Sequence, residues 1–506
     1  MKIVFVAIAT ENLAIEFLSS FLKKNGHEVE VVFDPRLFAS EAVTSKKLAN
    51  VFDITKEIIL QVNEKKPDIV GFSVFTFNYQ RSLALAREIK KKNNKVPIIF
   101  GGIHPTSVPE LVIEEDCVDI VCIGEGEYAL LELLQNINSG ESKTNIKNLW
   151  FKEGKKIIKN PCRPLINDLD TLPFPDKELF YNIYPGFIKN DYYTASSRGC
   201  PFACTFCANN VLHKVYRGLG KSVRRRSPQN VINELIQAKE KFSIRQITFV
   251  DDVFVQDIGW LEEFARAYKE KINLPYIIIT HYLFVTTQLV KLLVDSGCYF
   301  LLFGIQSASV KTRKETLKRS GTNEDIEKAS LICHEVGLRF SVDHIFNIPG
   351  EGIKEQVEAL ELYNRIRPTV INSYWIQYFP GTAIITKAVE TGIIKEEMVE
   401  KINRGLTSTS LVVGLGNKDS FNPDLVYANF QFFFMLLPIL PKSFTNKVIQ
   451  HKLYLMPFKS PMIINIGIKC FINFISKRGS VYWGIIKSIF YFMRRNIALK
   501  DAFKEG

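Results

Sequence analysis

A chain of 506 residues is longer than one hydrophobic core ordinarily organises, so two or three domains are expected. With 46% hydrophobic and 23% charged residues it falls outside the disordered class. Its nine cysteines follow no even, regular framework, which excludes a disulfide-stapled secreted scaffold and fits a reducing, cytoplasmic setting. The start, Met1 to Ala9, is apolar like the h-region of a signal peptide, but Glu11 and Glu16 follow at once and no small-residue cleavage site is evident, so it is read as a first β-strand. Residues 1–140 alternate apolar runs with amphipathic stretches, the pattern of a doubly wound α/β domain with a parallel sheet. Strands are expected at Ile3 to Ala7, Glu28 to Phe33, Ile69 to Val74, Ile98 to Gly101 and Ile120 to Ile123, and helices at Asn12 to Asn25, Lys56 to Glu64, Arg81 to Asn93 and Tyr128 to Ile137. Such sheets bind ligands at the carboxyl ends of their strands. The chain puts Thr10 and Asn12, Ser73 and Thr76, Gly101-Gly102-Ile103-His104-Pro105 and Gly124-Glu125-Gly126-Glu127 there. The same residues also suit a flavodoxin-like domain that binds nothing, its glycines serving only as turns.

Residues 141–189 read as a connector, rich in Lys, Asn and Pro, with Pro173 and Pro175 stiffening the stretch from Asp168 to Asp176. From 190 to 405 the strand and helix pattern resumes. It opens on Cys200, Cys204 and Cys207, spaced C-x3-C-x2-C, with Phe206 just before the third. Three soft thiolates on one tight loop can hold three irons of a [4Fe-4S] cluster and leave the fourth without a protein ligand, free to bind a substrate or cofactor. Two other readings exist: a Cys3His zinc site completed by His213, and a disulfide that leaves one cysteine over. Downstream, Ser227 and Pro228 mark the N-cap and first position of a helix. A buried strand then ends in Asp251 and Asp252, which on the residues alone are a solvated strand end or a helix cap.

The cysteine loop with its aromatic resembles that of the radical S-adenosylmethionine (SAM) enzymes, whose open iron chelates the amino and carboxylate groups of SAM. The resemblance continues in order through Phe303-Gly304-Ile305-Gln306-Ser307, Asp343 to Glu351, and Trp375 to Thr382. It implies a partial (β/α)6 barrel, with Asp251 or Asp252 beside the SAM ammonium, Gln306 at the ribose in place of the family's usual Glu, and Gln377 near the adenine. Gly101-Gly102, Gly124-Glu125-Gly126-Glu127 and the segment Asp168 to Asp176 resemble the cobalamin-binding domain and linker that precede this barrel in one large subfamily. The cobalamin signature D-x-H-x-x-G is absent, since the first loop reads Ala9-Thr10-Glu11-Asn12-Leu13-Ala14, so no imidazole ligand to cobalt is expected from it. His104 stands where the subfamily has the same residue in a structural role. The function so implied is reductive cleavage of SAM to a 5'-deoxyadenosyl radical, with electrons from a reductant such as flavodoxin or ferredoxin. Cobalamin-dependent methyl transfer to an unactivated carbon of a small-molecule or lipid-like substrate follows. Relatives of the same architecture perform cyclisation or rearrangement instead, and a non-catalytic cobalamin or metal-binding module is the other class of reading.

The tail, residues 406–506, is expected to be mostly helical. From Lys442 to Gly506 it holds twelve Lys or Arg against two acids, a net of +10 out of the chain's +12. The charge is interleaved with apolar runs at Phe430 to Leu440, Ile463 to Ile475 and Tyr482 to Met493, each interrupted, so none is a clean membrane span. Two readings stand: peripheral contact of residues 420–506 with an anionic membrane, and a helical region packed on the barrel with a solvated basic face. No RNA-binding module appears, so nucleic acid ranks below both.

Overall fold

Strand β1 (Lys2–Ile8) is buried at six of its seven residues because helices cover both faces of its sheet. In the computed structural model, which describes residues 1–39, 45–141, 144–183, 191–255, 257–407, 425–456 and 490–496, it is an interior strand of a seven-stranded sheet, second from one edge. The other strands are β2 (Glu28–Asp34), β3 (Ile69–Ser73), β4 (Ile98–Gly101), β5 (Ile120–Cys122), β6 (Leu149–Glu153) and β7 (Lys156–Lys159), in the order β2-β1-β3-β4-β5-β6-β7. The first five pair in parallel, giving the flavodoxin-like order with its switch point between β1 and β3. The helix Leu13–Lys24 shows why the sequence folds locally as it does. Asn12 caps it by accepting from Ile15 N at 3.1 Å, Ile15 and Leu22 are buried, and Lys23 and Lys24 sit at its carboxyl end.

The stretch 141–189 is only partly a connector, because β6 and β7 form an antiparallel hairpin that pairs with β5 and widens the sheet. Alternation supplies the reason: Leu149 and Phe151 are buried in the core on one face of the sheet, while Trp150 packs half-buried on the other. Farther on the connector is tied to both halves of the molecule. Asp170 Oδ1 accepts from Ser227 N at 2.9 Å, and Asp176 Oδ2 accepts from Ser19 Oγ and Lys23 Nζ, each at 2.6 Å. The adjacent Lys177 is buried and pairs at 2.7 Å with both Glu11 and Glu16.

The second sheet begins with β8 (Tyr192–Thr194), after which β9 (Ser197–Arg198) and β10 (Arg224–Arg225) pair as a separate antiparallel ribbon. It continues through β11 (Ile247–Phe249), β12 (Tyr276–Thr280), β13 (Cys298–Gln306), β14 (Arg339–Phe346) and β15 (Val370–Trp375). All six strands are parallel and lie in sequence order, and β8 and β15 are the two edges, so this is a partial (β/α)6 barrel. Ser227 caps the helix Pro228–Lys241 by accepting from Asn230 N at 3.1 Å.

The first apolar run of the tail belongs to the barrel core. In the helix Leu425–Leu436, Phe430 and Phe434 have no solvent exposure, and the Phe434 ring stacks on Phe346 at 5.5 Å. Burying a ring of this size contributes about 1.5–3 kcal/mol, so this face is unavailable to a bilayer. The helix Lys442–Gln450 packs on the same core through Val448. Residues 490–496 are helical and return to the first sheet, where Phe492 meets Phe33 at 5.3 Å. The second apolar run, and the third up to residue 489, lie outside the described residues. Among the described residues no helix is long and apolar enough to cross a membrane.

Candidate active site

The three cysteines lie on the loop that leaves β9. Thr205 pins this loop to the segment after β13, donating from N to Leu317 O at 3.0 Å and from Oγ1 to Thr316 O at 2.7 Å. Its carbonyl accepts from Ile384 N at 3.0 Å. Cys204 is buried, while Cys200 and Cys207 are partly open. Phe206 packs on the small apolar cluster that includes Leu317, Ile348 and Tyr378. The sulfurs also have polar neighbours: Asn209 Nδ2 donates to Cys207 Sγ at 3.7 Å and Arg319 Nη1 to Cys204 Sγ at 3.5 Å. Burial pushes the Cys200 thiol up to about 12 and raises that of Cys207, with the Asp252 charge adding to both. Metal binding at this loop must therefore displace protons.

His213 does not complete a zinc site, since its Nε2 is engaged at 2.9 Å by the Cys200 carbonyl. Among the described residues no three His, Cys, Asp or Glu side chains converge on one point tightly enough for a single ion. A cubane does not ask for that, because each thiolate meets a different iron. The donor set, three thiolates on one pinned loop, therefore fits a [4Fe-4S] cluster.

The structure separates the two acids after β11. Asp251 is buried and spent on holding the start of the loop: it accepts from Ser196 N at 3.0 Å, Ser196 Oγ at 2.7 Å and Ser197 Oγ. It is thus a positioning group, not a free carboxylate for an ammonium. Asp252 stays solvent-accessible and lies beside Asn209, Cys200 and Cys207. Gln306 ends β13 at a register shift, with φ +71°, and its amide folds over Gly304. Gln377 follows β15 and is half-buried. Among the described residues, the buried polar atoms without a partner include Thr280 Oγ1 and His281 Nε2 at the carboxyl end of β12 and Trp375 Nε1 and Tyr378 OH at and after that of β15. Orphaned atoms of this kind suit a polar ligand such as SAM.

A cavity of about 560 Å³ lies between the two sheets. One wall is the carboxyl edge of the first sheet, with Ser73, Gly101, Gly102, Gly124, Glu125 and Gly126; the other carries Arg198, Asn209, His213 and Tyr216 from the segment around the cysteine loop. It runs on between the sheet and the helix Leu13–Lys24 as an apolar slot lined by Phe5, Phe17 and Leu18. Gly102 has φ +101°, and a Cβ there would stand 2.8 Å from Val74 O; at Gly124 a Cβ would meet the Tyr216 hydroxyl. Gly101, Gly102, Gly124 and Gly126 line the cavity floor without side chains, which fits a broad planar ring such as a corrin. Four residues predicted for cobalamin do not line the cavity, and neither do the three cysteines, Phe206, Asp251, Asp252, Gln306 or Gln377. Thr10 is exposed on the first loop, and Asn12 caps its helix and donates to Ser73 Oγ at 3.1 Å. Thr76 and His104 are buried beneath the floor, 3.1 Å apart, and His104 lies against Tyr79. Burial pushes the His104 imidazole down to about 3, so it is a neutral structural group.

Sequence reasoning missed the polar clasp across the cavity. Glu125 Oε1 accepts from Arg198 Nη1 at 3.1 Å and Arg224 Nη1 at 2.7 Å, while Glu127 takes Arg198 Nη2 at 2.6 Å. Glu125 N donates to Tyr216 OH at 2.7 Å. The glycine-acid repeat was the available signal for one side, and the paired arginines of β9 and β10 for the other.

Comparison with known proteins matches these two halves separately. Residues 6–134 match the B12 binding domain family and residues 194–363 the Radical SAM superfamily. The chain is 28% identical to an uncharacterized methyltransferase of Pyrococcus horikoshii, over 78% of this chain and 84% of that one. It is 23% identical to cytidylyl-2-hydroxyethylphosphonate methyltransferase of Streptomyces wedmorensis, over 77% and 79%. Among solved structures it shares its fold with the radical S-adenosylmethionine methyltransferase TsrM from Kitasatospora setae, at a TM-score of 0.63 and 18% identity over 77% and 76%. With a B12-binding domain at residues 6–134 and a radical SAM domain at residues 194–363 that contains the three-cysteine loop, the chain belongs to the radical SAM enzymes that carry a cobalamin-binding domain.

Proposed function

We propose that the protein is a cobalamin-dependent radical SAM methyltransferase acting on an unactivated carbon of a small-molecule or lipid-like substrate. One observation carries the reading: the glycine-floored edge of the first sheet and the residues that bracket the cysteine loop, Gly199 and Asn209, line the same cavity. When bound, the cluster, SAM and cobalamin supply electron transfer, radical generation and methyl transfer. Cys200, Cys204 and Cys207 would hold the cluster as thiolates. Asp252, next to that loop, is the carboxylate for the SAM ammonium. Gln306 and Gln377 would meet the ribose and adenine, and the orphaned atoms of Thr280, His281, Trp375 and Tyr378 would take up its remaining polar groups. Ser73, Gly101, Gly102, Gly124 and Gly126 would carry cobalamin, with no imidazole from the sheet below it. The barrel core and the tail helix Leu425–Leu436 exclude water from one flank.

A low-potential carrier such as flavodoxin or ferredoxin supplies the electron, in a cytoplasmic setting. Peripheral contact with an anionic membrane is assigned to the basic stretch beyond the packed helices. Liposome flotation of the full chain tests this, and failure to float on anionic vesicles would remove it. Methyl transfer itself is tested with SAM carrying a trideuterated methyl group. The label is expected in the bound cobalamin by mass spectrometry, whereas cobalamin that stays unlabelled while SAM is consumed would overturn the reading.

A further inference from the structure

Arg319 is half-buried, and no carboxylate pairs with it among the described residues. Its Nη1 donates to Cys204 Sγ at 3.5 Å, its Nη2 donates to Gly304 O at 2.5 Å, and its guanidinium lies 5.8 Å from the centre of the Tyr282 ring. Its Nε is buried without a partner, and no ion pair to it exists among the described residues. A guanidinium keeps its charge at any relevant pH, and a partly buried unpaired charge is unfavourable unless an anion faces it. A neutral thiol is a weak acceptor, whereas an iron-bound thiolate is an anionic one. The buried Cys204 is the only one of the three cluster sulfurs to which an arginine donates among the described residues.

We propose that Arg319 is a positioning residue that donates to the Cys204 sulfur and raises the reduction potential of the cluster. The inference rests on the three-cysteine cluster reading. The step concerned is transfer of one electron from a low-potential one-electron donor to the cluster: no bond forms or breaks and no proton moves. The cluster gains one negative charge, and a fixed positive charge on a ligand sulfur stabilises that state more than the oxidised one. The bond from Arg319 to Gly304 O also places the guanidinium under the folded amide of Gln306, so the same side chain links the cluster loop to the end of β13.

The test is a redox titration of the full chain, reconstituted anaerobically with iron and sulfide and followed by electron paramagnetic resonance. Arg319→Gln is expected to keep the wild-type iron and sulfide content and to be about tenfold harder to reduce, a potential lower by ~59 mV for a one-electron couple. Arg319→Lys, which keeps the charge, is expected to recover most of that shift. An unchanged potential in Arg319→Gln with a full cluster would overturn the proposal. Should Arg319→Gln fail to assemble the cluster, Arg319→Lys decides: a potential near that of wild type supports the proposal, and one lowered tenfold or more in reducibility overturns it. A wild-type protein that takes up no cubane would defeat the cluster reading itself, an outcome told apart by its iron and sulfide content.

Discussion

At Gly102 the backbone does what no side chain would permit, since φ is +101° and the carbonyl of Val74 lies where a Cβ would go. Gly102→Ala is expected to lose about 1–3 kcal/mol of stability, the cost of a non-glycine residue held in such a conformation with a close contact added. It should also weaken hydroxocobalamin binding, because the cavity floor must move; a melting curve and an absorbance titration check the two effects. An unchanged affinity would mean that the floor is not where the ring rests. The glycines at 101, 102, 124 and 126 were legible from sequence because strand-end glycines in a parallel sheet point to a ligand edge. The partition between Asp251 and Asp252 was not. Adjacent acids look alike in sequence, and only the fold shows that Ser196 and Ser197 claim the first and leave the second open. His104 was legible in part: its structural role followed from its place in the turn, but its burial under the floor needed the packing of Tyr79.

At the scale of elements, the clasp of Glu125 with Arg198 and Arg224 joins the loop after β5 to the ribbon that launches the cysteine loop. Burial works against the Glu125 charge, yet the two arginines outweigh it and hold its carboxyl below the ordinary range. A carboxylate depressed in the folded state contributes stability that is complete above its unfolded pKa, about 4.3, and is lost as the pH falls through its folded value. Glu125→Gln is therefore expected to cost about 1–3 kcal/mol at neutral pH, the price of leaving charged hydrogen-bond partners unmet. The gap from wild type should close as the pH drops below the carboxylate range. Denaturant unfolding at pH 7 and in acid well below pH 4 measures this, and a gap that widens in acid would contradict it. Strands and helices were legible to within a few residues because their apolar periods are clean. The hairpin of β6 and β7 was not, since two short strands among lysines and asparagines carry too little alternation to stand out from a connector.

For the whole molecule, the tail decides how the barrel is closed. Its first apolar run fills the space beside β14 and β15, so the interleaved aromatics that resemble a membrane-seeking pattern are, here, core residues. Sequence alone could not choose between these, because a stripe of Phe and Leu suits a lipid surface and a protein surface equally. Phe434→Ala is expected to cost about 3–5 kcal/mol, as for other fully buried aromatic truncations. Urea unfolding would show it, and a loss below 1 kcal/mol would mean the helix is not part of the fold's core. The architecture as a whole was legible because its motifs come in order along the chain, while the meeting of the two sheets across one cavity is a property of their docking and has no local signal.

On this reading the cysteine loop and the glycine-floored sheet edge serve one reaction. This is tested most directly by reconstituting the protein anaerobically with iron and sulfide, supplying cobalamin, dithionite and SAM, and assaying products by mass spectrometry, with Cys204→Ala as control. Both 5'-deoxyadenosine and S-adenosylhomocysteine are expected from the wild type, and no 5'-deoxyadenosine from the variant. Neither product from a wild-type protein whose cluster is visible by spectroscopy would contradict it.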